Sequence, residues 1–220
     1  MFLLGFICGV IVGAIAIIVI ACSVNSGNIE RQLEEKQFKK WVKNMIAAIV
    51  CVDENFGIGY NGDLLAHIPE DMKFFREKTN NNMVVMGRKT YDSLPTKPLP
   101  NRVNVVITSQ INENNYMETR KDGAICANMD TIKAILENKA KIPSVLTQDI
   151  FIIGGGQIYK ELLQYCDCVY LTKVLESHDN VDTYFPNIDA MTEWEMTDVS
   201  ELKEYDGVQY KFYTYKKRGE

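Results

Sequence analysis

The sequence predicts an α/β domain on a largely parallel sheet, and three observations carry that reading. From Met45 onward, short apolar runs alternate with helical stretches, the order in which helical crossovers join parallel strands. Several of the runs are apolar at successive positions, as in Ile46–Val52 and Ile150–Ile153, which suits strands covered on both faces. The last two runs, around Trp194–Val199 and Val208–Tyr215, have no helix between them and a turn at Asp206-Gly207. They predict an antiparallel C-terminal edge.

The elements follow in order. Phe2 to Cys22 is an apolar run without charge or Pro, and one helix needs about 20 such residues to cross a bilayer. Residues 1–22 are therefore expected to be a transmembrane helix. Residues 23–44 read as a polar linker. Its stretch from Ile29 to Lys43 is compatible with a helix that places Ile29, Leu33 and Trp41 near one face. That face suits either a membrane surface or a solvated spacer. Residues 45–220 form the remaining domain. Within it, Met45–Val52 is a strand and Asn55–His67 a loop rich in Gly and Asn. Pro69–Thr79 is a helix, with Pro in its first turn and Glu70 and Asp71 complementing its dipole. Met83–Met86 is a strand, followed by Gly87 and a short helix to about Ser93. Pro95–Pro100 is a loop, and Val103–Thr108 and Ala124–Cys126 are strands. Asp130–Asn138 is a helix and Asp149–Ile153 a strand that runs into Gly154-Gly155-Gly156. Gln157–Tyr165 is a helix and Cys168–Val174 a strand.

Composition narrows the function. The net charge of −5 argues against a nucleic-acid partner, which would call for a basic face. Of the six Cys, only Cys166 and Cys168 are close, and the chain has two His, so no metal site is expected. Scattered thiols fit a reducing compartment.

Three strand ends carry anion-binding character. Gly154-Gly155-Gly156 lies between a strand and a helix, where backbone N–H groups can face a phosphate. Its spacing is not the G-x-G-x-x-G fingerprint. Gly87-Arg88-Lys89-Thr90 places two cations and a hydroxyl at a helix start, which works against the dipole unless an anion is served. Thr108-Ser109 ends a third strand. Together they fit a phosphorylated cofactor along the carboxyl edge of the sheet. Asp71 is the candidate catalytic carboxylate. It shares a helix face with Phe75 at i+4, and an aromatic wall would desolvate it and raise its pKa. Arg102, after the Pro-rich loop, suits a substrate carboxylate.

In this order and spacing the motifs resemble dihydrofolate reductase across about residues 45 to 217. The resemblance rests on Ile49-Val50-Cys51, Gly57-Ile58-Gly59, Asn61-Gly62-Asp63-Leu64, Ile68-Pro69-Glu70-Asp71 and Met86-Gly87-Arg88-Lys89-Thr90. It continues through Leu99-Pro100-Asn101-Arg102, Ile153-Gly154-Gly155-Gly156-Gln157-Ile158-Tyr159, Tyr170-Leu171-Thr172 and Asp182-Thr183-Tyr184-Phe185-Pro186. It implies a three-layer fold, with a mostly parallel central sheet of about eight strands and helices on both faces. It implies NADPH-dependent reduction of 7,8-dihydrofolate, with hydride passing to C6 of the pterin and a proton to N5. Other pteridine or pyrimidine reductases of the fold, and a non-catalytic NADPH- or folate-binding protein, are the alternatives.

The resemblance also implies residue roles. Asp71 would hold the pterin 2-amino group and N3, with Thr172 as its partner through a water. Ile49, Val50, Cys51, Met72, Phe75, Leu94, Ile153 and Tyr159 would line the substrate pocket, and Arg102 would take the glutamate α-carboxylate. Cys51, Ile58, Gly59, Gly87, Arg88, Lys89, Thr90, Thr108, Ser109, Gly155, Gly156, Gln157 and Ile158 would contact NADPH. A cis peptide would fall at Gly154–Gly155. Antifolates such as methotrexate or trimethoprim become expected ligands. One departure stands out: the family's Leu-Pro-Trp before the helix is here Leu64-Leu65-Ala66, without the indole N–H or the fixed φ of Pro. Gln157 stands where some relatives have Arg.

For the apolar run, Arg31, Lys36, Lys39 and Lys40 follow the span and no cation precedes it. The positive-inside rule then puts the C-terminal domain in the cytoplasm. Gly5, Gly9 and Gly13 repeat every fourth residue, so the chain is expected as a monomer or a dimer paired through the span.

Overall fold

The computed structural model describes residues 44–111, 117–137 and 148–219. The expected span at residues 1–22 and the expected linker at 23–44, apart from Asn44, lie outside them. Among the described residues, no helix is long and apolar enough to cross a membrane.

The strands are β1 (Ile46–Val52), β2 (Gly57–Tyr60), β3 (Asp63–Leu64), β4 (Met83–Gly87), β5 (Val103–Ile107), β6 (Met117–Thr119) and β7 (Ile125–Ala127). They continue with β8 (Ile150–Ile152), β9 (Cys168–Val174), β10 (Thr183–Tyr184), β11 (Trp194–Val199), β12 (Lys203–Tyr205) and β13 (Val208–Lys217). The helices are α1 (Pro69–Thr79), α2 (Arg88–Ser93), α3 (Met129–Glu137) and α4 (Gly156–Leu162), the last running into a 3₁₀ turn at Leu163–Tyr165.

The main sheet has ten described strands in the order β11-β13-β9-β1-β8-β4-β5-β7-β6, with β12 also on β13. The centre is parallel: β1 pairs with β8 and β9, β4 with β5 and β8, and β5 with β7. One edge is antiparallel, as expected, through β9–β13, β11–β13 and β12–β13. The expectation of about eight strands falls short by β6 and β12. Both are three-residue strands of mostly exposed polar residues, and neither carries an apolar run to announce it. β6 turns the far edge antiparallel as well.

A second sheet, β10-β2-β3, occupies what the sequence reads as loop. Gly57, Gly59 and the Asn61-Gly62 turn hide it from pattern reading, because Gly is disfavoured in strands and carries no side chain to show alternation.

Successive residues of β1 and β8 are buried, so both faces of the central sheet are covered. On one face Ala47, Ile49, Val84, Met86, Val106 and Phe151 pack with Tyr91 and Leu94 of the α2 region and with Phe74 and Phe75 of α1. Elsewhere α3 and α4 bury Ile132, Leu136, Ile158 and Leu162, and Lys133 of α3 pairs with Glu161 of α4. This burial supplies most of the stability, at roughly 25 cal/mol per Å² of apolar surface.

Candidate active site

The carboxyl ends of β1, β9, β4 and β8 converge on α1, α2 and α4, and the reactive groups collect there. Asp71 stands in the first turn of α1. Its helix packs Phe74 and Phe75 against the sheet, and the i, i+4 spacing turns Asp71 inward with Phe75. Asp71 is only 7% exposed. Its Oδ1 accepts a hydrogen bond of 2.6 Å from the Oγ1 of Thr172, a β9 residue that is 1% exposed. Where the sequence implies a partnership through water, the two side chains meet directly. Burial pushes the Asp71 carboxyl above its ordinary range, and the Thr172 bond draws it partly back.

β1 lies alongside. Cys51 is in register with Thr172, and burial, then the nearby Asp71 charge, pushes its thiol well above the usual range. Two residues back, the Ile49 carbonyl accepts a 2.7 Å hydrogen bond from the Tyr159 hydroxyl. Tyr159 comes from α4, so this bond fixes the helix to the strand. Burial raises its phenol too, which keeps it a neutral donor. Phe75, Leu94 and Ile153 pack half-buried on the cluster that contains Ile49, and Met72 is half-buried beside them on α1. Strand alternation puts the Val50 side chain on the sheet face opposite Ile49 and Cys51, so Val50 would meet the same pocket through its backbone.

Arg102 follows the Pro-rich loop, which contains a cis Lys97–Pro98 bond. Its Nε donates to the Pro100 carbonyl at 3.0 Å and an NH1 donates to Thr79 Oγ1 at 2.9 Å. Its guanidinium stands 5.8 Å from the centre of the Phe75 ring. No carboxylate among the described residues pairs with it. Burial, then the charge of Arg76, lowers its pKa.

The glycine turns lie next to this pocket. The Gly87 N–H donates to the Gly154 carbonyl at 2.8 Å, which joins the β4–α2 and β8–α4 turns. The Gly154–Gly155 bond is cis, as the resemblance implies, and Gly154 has a φ of +119°. A Cβ on Gly156 would sit 2.9 Å from the Tyr184 carbonyl, so this close approach of β10 to α4 requires Gly. A Cβ on Gly155 would stand 3.3 Å from Thr90 Oγ1. The turns form a backbone cradle whose glycines pack directly on β10 and on Thr90 of α2. Ile158 is buried behind it, and Ile58 and Gly59 of β2 enter the small sheet that β10 completes.

The outer candidates are less engaged. Arg88 pairs with Asp92 at 3.1 Å, both about half exposed, so part of its charge is already met. Lys89, Ser109 and Gln157 are exposed. Thr108 Oγ1 accepts from the Gln110 N–H at 3.1 Å. The β2–β3 loop is anchored by Asp182, whose Oδ2 accepts from the Asn61 N–H at 2.9 Å and whose own N–H donates to the Gly59 carbonyl at 3.1 Å. Ala66, in place of the family's Trp, packs with Cys51 beside Ile68, Val174 and Tyr210.

Three residues take organising roles that the sequence did not show. Asp53 is buried at the end of β1, where its Oδ1 accepts from the Gly57 and Asn55 N–H groups at 2.7 and 2.9 Å. The buried Asn104 side chain accepts from the Leu99 N–H and donates to the Leu99 and Arg102 carbonyls, and so shapes the loop that presents Arg102. Glu70 bonds Tyr210 and Lys203. A polar residue inside an apolar strand, as in Val103-Asn104-Val105, was the one available signal, since it must be satisfied once buried.

The model of the dihydrofolate reductase family matches residues 45–217. The dihydrofolate reductase of Buchnera aphidicola is 39% identical over 150 residues, covering 68% of this chain and 83% of that protein. That of Bacillus subtilis is 31% identical over 176 residues, covering 79% of this chain and 95% of that protein. Among solved structures, dihydrofolate reductase from Enterococcus faecalis complexed with NADP(H) and RAB-propyl has a TM-score of 0.64 and 33% identity, covering 79% of this chain and 96% of its own. With the buried acid, the glycine cradle and the mixed sheet in place, this chain belongs to the dihydrofolate reductase family.

Proposed function

We propose that this protein reduces 7,8-dihydrofolate to 5,6,7,8-tetrahydrofolate, with NADPH as the reductant and Asp71 as the carboxylate at the pterin. The observation that carries the reading is the buried Asp71–Thr172 pair at 2.6 Å, set between the apolar pocket and the glycine cradle. The cradle fits a dinucleotide, because α4 opens at Gly155 and Gly156 without a side-chain cap and so leaves backbone N–H groups for a phosphate. NADPH, when bound, supplies the hydride that reduces C6 of the dihydropterin. Asp71 accepts hydrogen bonds from the 2-amino group and N3, and its charge favours a protonated N5. Thr172 orients that carboxylate. Tyr159 holds the β1 carbonyl of Ile49 and keeps α4 against the pocket floor. Arg102 takes the α-carboxylate of the glutamate tail, and Gly87, Thr90 and Gly155 to Ile158 hold the cofactor. Methotrexate and trimethoprim are candidate competitors.

The chain N-terminal to the domain is part of the proposal. Residues 2–22 act as a single span, 23–44 as the linker, and 45–220 as the reductase on the cytoplasmic side. The apolar run and the cations that follow it support this. Purified full-length protein should consume NADPH on addition of dihydrofolate. Asp71→Asn should lose about a hundredfold or more, the scale of a proton-handling group. Equal rates in the two proteins would remove Asp71 from the mechanism, and a preference for a tail-less dihydropterin would remove Arg102.

A further inference from the structure

We infer that Glu70, held by Tyr210 and Lys203, is a positioning residue for Asp71. The inference rests on the reading of Asp71 as the carboxylate at the pterin. α1 opens without a side-chain cap, because Ile68 stands at the N-cap position and has no acceptor to offer the first turn. What ties that turn down comes from far along the chain. Glu70 Oε2 accepts from the Tyr210 hydroxyl at 2.7 Å, and Glu70 Oε1 accepts from Lys203 Nζ at 2.8 Å. The two oxygens of one carboxylate thus reach two strands, β13 and β12.

Those strands belong to the same framework as Thr172. On β13, Tyr210 lies in register with Val174 of β9, and Phe212 with Thr172 itself. α1 is fastened to β13, β13 is laddered to β9, and Asp71 and Thr172 meet where the two routes close. A rotation of the first turn of α1 would move Asp71 off the Thr172 hydroxyl before it disturbed the helix body. Tyr210 is buried while Glu70 is exposed, so the bond ties the outer face of α1 to the core.

Charge gives the arrangement a second role. Glu70 and Asp71 are adjacent acids. The hydrogen bonds from Lys203 and Tyr210 hold the Glu70 carboxyl below its ordinary range, and Lys203 offsets its charge beside the buried acid. Among the described residues, Thr172 of β9 bonds Asp71, and the Asp71 charge acts on Cys51 of β1, Tyr159 of α4 and Tyr210 of β13. Of these, Tyr210 alone also bonds the neighbouring acid.

The test compares Glu70→Ala, Glu70→Gln, Tyr210→Phe and Asp71→Asn in the full chain. Single-turnover NADPH oxidation is followed across pH, with KM for each substrate and the folded fraction from urea denaturation. Glu70→Ala and Tyr210→Phe should lower the hydride-transfer rate about tenfold, the scale of a misplaced reacting group. Both should move the midpoint of the pH–rate profile and leave KM for NADPH unchanged. Glu70→Gln keeps an acceptor for Tyr210 and should retain more of the rate than Glu70→Ala. An unchanged rate and midpoint in Glu70→Ala and Tyr210→Phe, or a rate loss matching the unfolded fraction, overturns the positioning role. If Asp71→Asn is fully active, the reading of Asp71 falls with it. If Asp71→Asn is inactive while Glu70→Ala is normal, only the positioning inference falls.

Discussion

Asp71 is a group the fold holds at a cost. Desolvation raises its native pKa, so the native state binds that proton more tightly than the unfolded chain does. Stability then falls as pH rises from the ordinary carboxylate range through the raised native value, and the full penalty applies above it. Asp71→Asn should therefore unfold at a higher urea concentration than the parent at pH 7. The difference should vanish below the ordinary carboxylate range, where the Asp71 carboxyl is protonated in both the folded and the unfolded state. Equilibrium denaturation at the two pH values checks this, and a destabilised variant at pH 7 would contradict it. Asp71 was legible in the sequence because an acid one turn before an aromatic, in a helix that Pro69 starts, is a pattern. Asp53 and Asn104 were not, because their roles exist only after distant backbone groups come within reach. The direct Thr172 contact was partly legible: the partnership followed from the motifs, and the 2.6 Å distance required the β9–α1 packing.

Among the elements, the parallel strands were readable because each is an apolar run bounded by turn residues. The small sheet was not, since Gly57, Gly59 and Gly62 supply no pattern and its pairings depend on β10, more than a hundred residues downstream. Its packing against α4 is where a side chain matters most. A methyl at position 156 would press on the Tyr184 carbonyl, a backbone atom that cannot rotate away. Gly156→Ala should lower stability by about 1–3 kcal/mol, the usual cost of overpacking, and should weaken NADPH binding more than dihydrofolate binding. Urea denaturation and separate fluorescence titrations would show both effects. Wild-type NADPH affinity in the variant would mean that β10 yields freely. The Leu65-Ala66 departure sits in this region too. Ala66 packs on the cluster of Ile68, Val174 and Tyr210, as Cys51 does.

For the whole molecule, fold class and the antiparallel edge were legible from the order of elements, because helical crossovers and a terminal hairpin leave few topologies. The short outer strands were invisible to that argument, as edge strands with exposed polar residues resemble loops. The proposed tether makes one prediction at this scale. Full-length protein made in its own cell should pellet with membranes, whereas a chain beginning at Met45 should stay in the supernatant and keep its turnover rate. Recovery of the full-length protein in the supernatant would end the tether proposal.

The direction of the parallel strands has one more consequence. The polypeptide enters at Ile46, whose N–H donates to Asp167 Oδ2 at 2.8 Å, and leaves near Lys217, whose N–H donates to the Asp167 carbonyl at 3.1 Å. Entry and exit share one pole, the amino ends of the strands, while Asp71, Thr172 and the glycine cradle occupy the other. Handles, surfaces or fused domains joined at either end of the domain meet it on the side away from its chemistry.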